Sequence, residues 1–370
     1  MARKGRNIYK RKDGRWEARY IISRDQNGKA IYRSVYGDSY LRAKEKLEEV
    51  LKSSAAYRPK KKGTASTVGD FCSEWLSTVR VNCKRSTFVK YENSCNKYIL
   101  PKFGKMNVSS ITTTAAEEFL LSLISENGLS PKTVRDILSI MKLILSYADK
   151  HGGIVNCNLS AVTIKCEPTD FYVFTKEEQH ILIEYILNEP DLRKIGILLC
   201  LYTGLRVGEV CALTWADIDL DAKLLYVNKT MQRIRNTDDP EPKNKTIVTV
   251  TSPKSRASVR YVPLTDFLAD ILREYKKEND AYFLTGMSKI YIEPRNMQHF
   301  FEICLKETGI TKANFHSLRH TFATKCVEAG FEIKTLSEIL GHSSVNITLN
   351  RYVHTSMEMK RLNMNKLTLE

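Results

Sequence analysis

Phe315-His316-Ser317-Leu318-Arg319-His320-Thr321-Phe322 is followed by Leu340-Gly341-His342 and then by Arg351-Tyr352-Val353-His354. Far upstream, Gly204-Leu205-Arg206-Val207-Gly208-Glu209 closes an apolar run. For chemistry these stretches offer two arginines, Arg206 and Arg319, two histidines, His316 and His342, and a tyrosine, Tyr352. Guanidinium forks match the non-bridging oxygens of a phosphodiester and stay charged. A phenol can attack phosphorus and hold it in a covalent protein–phosphate bond, with cations stabilising the charge that develops. The phenol has an ordinary pKa of about 10, so at neutral pH it needs a base or nearby cations.

The local patterns place each group. His316 and Arg319 are three residues apart and share one helical face. Arg206 follows Thr203-Gly204, where one helix ends and the next begins, so its side chain emerges at a helix N-terminus. Glu209, three residues on, pairs with it and orients it. Gly341 suits the residue that ends a helix over 334–340 and leaves His342 just beyond. His320, next to Arg319, is expected to point elsewhere as a structural residue, and His354 is a companion of the motif. The plainer reading of Tyr352 is a buried tyrosine of a terminal helix. Its place after Leu-Gly-His, eighteen residues before the last residue of the sequence, favours a nucleophile.

With 370 residues the chain has room for two or three domains. Its 58 lysines and arginines against 42 acidic residues leave a formal charge of +16, and +12 of that falls in residues 1–66. Such a basic excess attracts polyanions, nucleic acid above all, or is simply a soluble basic tail. Nine cysteines show no Cys-x-x-Cys pair and no metal-ligand spacing with histidine, which argues for a reducing compartment and no structural zinc. No signal peptide and no membrane-length apolar run is visible, so a soluble cytoplasmic protein is expected.

Residues 7–36 alternate as strands do. Trp16, Ala18, Tyr20 and Ile22 fall on one face and Glu17 and Arg19 on the other, with Asp25-Gln26-Asn27-Gly28 as the hairpin turn before a strand over 30–36. A helix over 40–51 can cover this sheet. Trp16 and Tyr20 read as core, whereas Arg15, Arg19 and Arg33 are candidates for DNA contact. Arg58-Pro59-Lys60-Lys61-Lys62-Gly63 reads as a linker, placed at 58–66. From residue 67 to 153 the period turns helical, with helices expected over 69–80, 86–98 and 113–126. A last one opens at Ser130-Pro131 and carries the stripe Val134, Ile137, Leu138, Met141, Ile144, Leu145 and Ala148. Lys84, Arg85, Lys90 and Lys97 face either phosphates or solvent. Thr175-Lys176-Glu177-Glu178 forms a capping box that opens a mainly helical region, interrupted by strands over 223–227, 246–251 and 258–263.

Gly-Leu-Arg-x-x-Glu, His-x-x-Arg-His-x-Phe-Ala, Leu-Gly-His and Tyr-x-His occur here in the order and spacing of the tyrosine recombinase (phage integrase) family. The whole layout resembles integrases of conjugative transposons and of Gram-positive phages. The resemblance implies an α+β multidomain fold. Residues 1–57 would form a small three-stranded β domain that binds arm-type DNA sites, and 67–153 a helical core-binding domain. Residues 170–370 would form a mainly helical catalytic domain with a small β-sheet.

It further implies that Arg206 and Arg319 clamp the scissile phosphate, that His316 assists proton movement at the tyrosine, and that His342 donates to a phosphoryl oxygen. The family's general acid is a lysine on a β-turn before the His-x-x-Arg motif. Lys254, ahead of the strand Val259-Arg260-Tyr261-Val262-Pro263, fits that place, with Lys243, Lys245 and Arg256 close by. Tyr352 would store the phosphate as a 3′-phosphotyrosyl link, with no metal and no cofactor. The implied partners are double-stranded DNA attachment sites, three further copies of the chain in a tetramer on DNA, an excision factor and a host DNA-bending protein, with no membrane. Residues 355–370 would be exchanged between subunits or pack on their own. The competing readings are a chromosome-dimer resolvase of the same family, a type IB topoisomerase, and a catalytically silent DNA-binding or architectural protein.

Overall fold

The computed structural model describes residues 8–11, 13–24, 30–53, 67–167, 171–236, 244–253, 255–311, 313–352, 361 and 364. The turn at 25–28, the linker at 58–66, Lys254, His354 and most of 355–370 lie outside the described residues. The chain divides into two compact units, Met1–Asn82 with Tyr91–Ile164, and Cys83–Lys90 with Lys165–Glu370.

In the first unit, β1 (Ile8–Lys10), β2 (Trp16–Arg24) and β3 (Ala30–Gly37) form an antiparallel sheet in that order. Ala18 stands opposite Ile8 and Val35 in the register. Helix α1 (Tyr40–Ser53) sets Ala43 and Leu47, four residues apart, onto Ala18, with Trp16 and Tyr20 packed at the side. Gly37 permits this approach, since a Cβ there would stand 2.5 Å from the Ala43 nitrogen. Arg19 faces the same way as Glu17, Ser34 and Tyr36, whereas Arg33, paired with Tyr20, belongs to the face that α1 covers. The three candidate arginines are therefore split, with Arg15 over the Tyr36 ring, Arg19 over the Tyr9 ring and Arg33 on the other face.

The rest of this unit is helical: α2 (Val68–Asn82), α3 (Arg85–Ser94), α4 (Leu100–Phe103), α5 (Thr113–Ser125) and α6 (Pro131–Lys150), with the start of α3 falling in the second unit. Ser130 caps α6 by accepting from the Thr133 N–H, and every residue of the expected stripe is buried. The single helix expected over 86–98 instead passes through a π-turn at Cys95–Ile99 into α4. Pro101 has no N–H for the regular ladder, and the helix widens just before it.

The second unit is built around α8 (Leu192–Thr203), preceded by α7 (Lys176–Asn188) and its Thr175–Glu178 capping box. Ile195, Ile197, Leu198, Leu199 and Cys200 are all buried, as suits a helix enclosed on every side. There follow α9 (Val207–Ala212), β4 (Ile218–Asp219), β5 (Leu224–Val227), β6 (Thr230–Arg235), β7 (Thr246–Thr251) and β8 (Arg260–Pro263). Helices α10 (Asp266–Glu274), α11 (Pro294–Glu307), α12 (Phe315–Glu328), α13 (Ile333–Leu340) and α14 (Val345–Tyr352) complete it. The strands make two sheets where one was expected: three strands in the order β4-β5-β8, and the hairpin β6-β7. Strand β6 escapes a periodicity reading because its apolar residues, Met231 and Ile234, are three apart among polar ones. Its pairing with β7 and the approach of Gly208 to the Met231 carbonyl hold it in place. Among the described residues no helix is long and apolar enough to cross a membrane.

Candidate active site

Two left-handed glycines organise the site. Gly204 ends α8 and Gly341 ends α13, each at φ +66°. A Cβ on Gly204 would stand 2.6 Å from a Phe322 ring carbon, so both backbone conformation and space require glycine there. Arg319, on α12 and only 1% exposed, donates from Nη1 to the Gly204 carbonyl and from Nη2 to the Leu340 carbonyl, both at 2.7 Å. One guanidinium thus ties together the ends of two helices. Burial, and then the neighbouring Arg206, push its pKa down to about 9.

Arg206 is the N-cap residue of α9, as its place after Gly204 suggested. Its Nη1 lies 2.7 Å from Glu209 Oε1, and Nη2 reaches the Gly341 carbonyl at 3.4 Å. Glu209 also accepts from the Arg206 N–H, so it orients this arginine at both backbone and side chain. Glu209 has a second partner. Arg260 donates from Nη2 to Oε2 at 3.0 Å and from Nη1 to Oε1 at 3.2 Å, and it reaches the Ile339 carbonyl through Nε. Burial alone would raise the carboxyl pKa of Glu209, yet Arg260 and then Arg206 hold it below the ordinary value. Arg260 was not singled out from the sequence. Its signal was there: it shares the inward face of β8 with Val262, next to the buried Leu225 and Val227, a position that a charged residue occupies only with partners.

Tyr352 ends α14 and is 5% exposed. Its hydroxyl lies 2.8 Å from His320 Nδ1, which corrects the expectation that His320 turns away. On α12, His316 and His320 are four apart, and their rings meet edge to face at 4.5 Å. The more exposed His316 stands beside the buried His320, so the histidine in reach of the phenol is the second of the pair. Phe171 lies against both the His320 and Tyr352 rings. Burial raises the phenol pKa, with Arg319 and Arg351 working against it.

His342 follows Gly341 as expected, and its ring runs nearly parallel to that of Tyr352, with centroids 6.5 Å apart. Its Nδ1 is 2.8 Å from the buried Thr348 hydroxyl, which leaves Nε2 as the nitrogen open to a ligand. Burial, followed by arginines of the site, lowers the pKa of all three histidines. Arg319 leads those arginines for His316 and His342; for His320, His316 comes next after burial. The structure therefore gathers Arg206, His316, Arg319, His342 and Tyr352, and adds Glu209, Arg260, His320 and Thr348. The site so made holds the guanidiniums of Arg206 and Arg319 beside a phenol and neutral imidazoles, an arrangement that can seat a phosphodiester and transfer it to tyrosine.

Comparisons with known proteins identify the family. Residues 173–359 match the phage integrase family, and residues 67–124 match the N-terminal SAM-like domain of phage integrases. The chain is 30% identical to a tyrosine recombinase XerC-like protein of Caldanaerobacter subterraneus subsp. tengcongensis, across 92% of each chain. It is 27% identical to the transposase from transposon Tn916 of Enterococcus faecalis, over 77% of this chain and 76% of that one. In fold it is similar to the Tn1549 transposon integrase, solved in complex with transposon right end DNA. The TM-score is 0.67 at 22% identity, covering 81% of this chain and 99% of that one. The chain belongs to the phage integrase family: it is a tyrosine recombinase, an enzyme that cleaves DNA strands and rejoins them.

Proposed function

We propose that this recombinase integrates and excises a mobile DNA element, using Tyr352 as the nucleophile of a 3′-phosphotyrosyl intermediate. The observation that carries the reading is the convergence of Arg319 and Arg206 on the turns at Gly204 and Gly341, where His342 sets its ring parallel to that of Tyr352. In this reading Arg206 and Arg319 hold the non-bridging oxygens, and His342 donates from Nε2. His316 lines the opening, and Lys254 protonates the departing 5′ oxygen. One phosphodiester is exchanged for another through an ester of similar energy, so no nucleotide is consumed.

Residues 1–57 would bind arm sites separate from the crossover and residues 67–153 would grip the core duplex. Residues 170–370 would do the chemistry, with four copies on two paired sites and an excision factor and a DNA-bending protein setting direction. The N-terminal sheet with its basic charge favours a mobile-element integrase over a resolvase of chromosome dimers.

The test is a duplex with a nick beside the cleavage position, which traps the covalent adduct. The unaltered chain should form a protein–DNA adduct, and Tyr352→Phe should bind the same DNA and form none. Adduct from the phenylalanine variant would move the nucleophile elsewhere.

A further inference from the structure

The histidine within reach of the Tyr352 hydroxyl is His320, whereas the family motif points to His316. We propose that His320 is a catalytic residue that takes the phenol proton as Tyr352 attacks, and returns it when the strand is rejoined. This inference rests on Tyr352 being the nucleophile.

Geometry is the first support. The hydroxyl stands 2.8 Å from His320 Nδ1, inside the reach required of a general base. Both groups are 5% exposed, so bulk water does not compete for that proton. The imidazole is fixed from two sides, by the Phe171 ring at 4.5 Å and by the His316 ring at the same distance. The phenol is fixed as well, between Phe171 and the parallel His342 ring.

His342 is less suited to the proton. Its Nδ1 is occupied by Thr348, and in the reading above its other nitrogen faces phosphate. His316 contacts the His320 ring at its edge and is the more exposed of the two.

The electrostatics keep the resting imidazole uncharged. Burial first, then His316, Arg351 and Arg319, hold the His320 pKa down to about 3, so the ring is neutral and free to accept. A phosphodiester seated on the guanidiniums would offset the cationic part of that penalty, and the imidazole would become a stronger base when the nucleophile is needed. In the step itself the Tyr352 O–H bond breaks and its proton goes to Nδ1, while the phenol oxygen forms the bond to phosphorus. The phosphorus–O5′ bond breaks with its electron pair on the 5′ oxygen, which takes a proton from the general acid assigned to Lys254. Rejoining runs the same transfers backwards.

The test follows adduct formation on the nicked duplex. In His320→Asn the amide oxygen can accept the tyrosine hydrogen bond but the side chain cannot carry the proton. The adduct rate should fall about 100-fold or more, with DNA affinity and melting temperature unchanged. Placing 3-fluorotyrosine, a more acidic phenol, at position 352 should recover about tenfold in that variant. An unchanged rate for His320→Asn overturns the proposal, because a hydrogen bond alone would then suffice.

His316→Asn supplies an arm that does not depend on the His320 variant folding. With His320 intact, the fluorinated tyrosine should change the rates of His316→Asn and of the unaltered chain by the same factor. A selective rescue of His316→Asn assigns the proton to His316 and overturns the proposal. Adduct in Tyr352→Phe would instead sink the nucleophile reading, independently of either histidine arm.

Discussion

Arg260 and Glu209 form a buried ion pair, with Nη2 3.0 Å from Oε2, and both carboxylate oxygens of Glu209 are shared between Arg260 and Arg206. In the proposed reading the carboxylate thus couples Arg206, which would hold phosphate oxygens, to Arg260 behind it. Arg260 adds bonds to the Ile339 and Ser258 carbonyls, so it also braces the turn that presents Gly341 and His342.

Replacing Arg260 should therefore damage both stability and chemistry. Arg260→Met leaves Glu209 buried with a single partner, and breaking one side of a buried pair costs about 3–5 kcal/mol. A urea titration should show that loss, and the adduct rate should drop because Arg206 is no longer held from behind. Arg260→Lys should recover only part of either, since one ammonium cannot reproduce the several directed bonds of the fork. Stability within about 1 kcal/mol of the unaltered chain in Arg260→Met would show that the pair is not a brace.

The histidines set a pH dependence of known sign. His316, His320 and His342 have folded pKa values below the ordinary imidazole value of about 6.5, so the unfolded chain binds more protons as pH falls through that value. Stability from these groups is present above about pH 6.5 and is lost progressively as pH falls toward the folded values. Urea midpoints measured from pH 7.5 to pH 5 should decline, and His320→Asn should flatten the decline. Glu209 works in a lower window: its depressed carboxyl contributes stability above about pH 4.3 that is lost on further acidification. A stability curve that rises from pH 7.5 to pH 5 would contradict the histidine assignment.

Residues 1–57 should act as a second DNA-binding module. Their deletion should leave core cleavage intact, because Arg206, Lys254, His316, Arg319, His342 and Tyr352 all lie beyond position 200. Affinity for DNA carrying arm and core sites should fall and become less salt-dependent, by about 0.9 in the log–log slope for each phosphate contact removed. The open sheet face already pairs its cations internally, Arg15 with Asp13 and Arg19 with Glu17. Arg15 and Arg19 are therefore already paired, and their own share of the change in slope should be small. Salt titrations of both proteins on long and core-only DNA measure this, and equal affinity of the full chain for the two DNAs would leave the N-terminus a non-specific tether.

Where local rules govern, the sequence was legible. The cap at Ser130-Pro131, the capping box at Thr175, the glycines that end α8 and α13 and the strand over 246–251 all follow from short-range chemistry. The site could be read for residues carried by motif. What escaped was set by contacts distant in sequence. His320 meets Tyr352 across 32 residues and Arg260 meets Glu209 across 51, and no periodicity reports either pairing. Strand β6 escaped for the same reason, since its partner β7 rather than its own pattern defines it.

The guanidinium of Arg319 takes its bonds from carbonyls 115 residues upstream and 21 residues downstream, and Arg206 reaches Gly341 across 135. During synthesis, then, every emerging fragment that stops short of residue 341 lacks part of its clamp, and one that stops short of residue 352 lacks its phenol. On the reading that Tyr352 is the nucleophile, a chain released early by the ribosome would have no means of opening a strand.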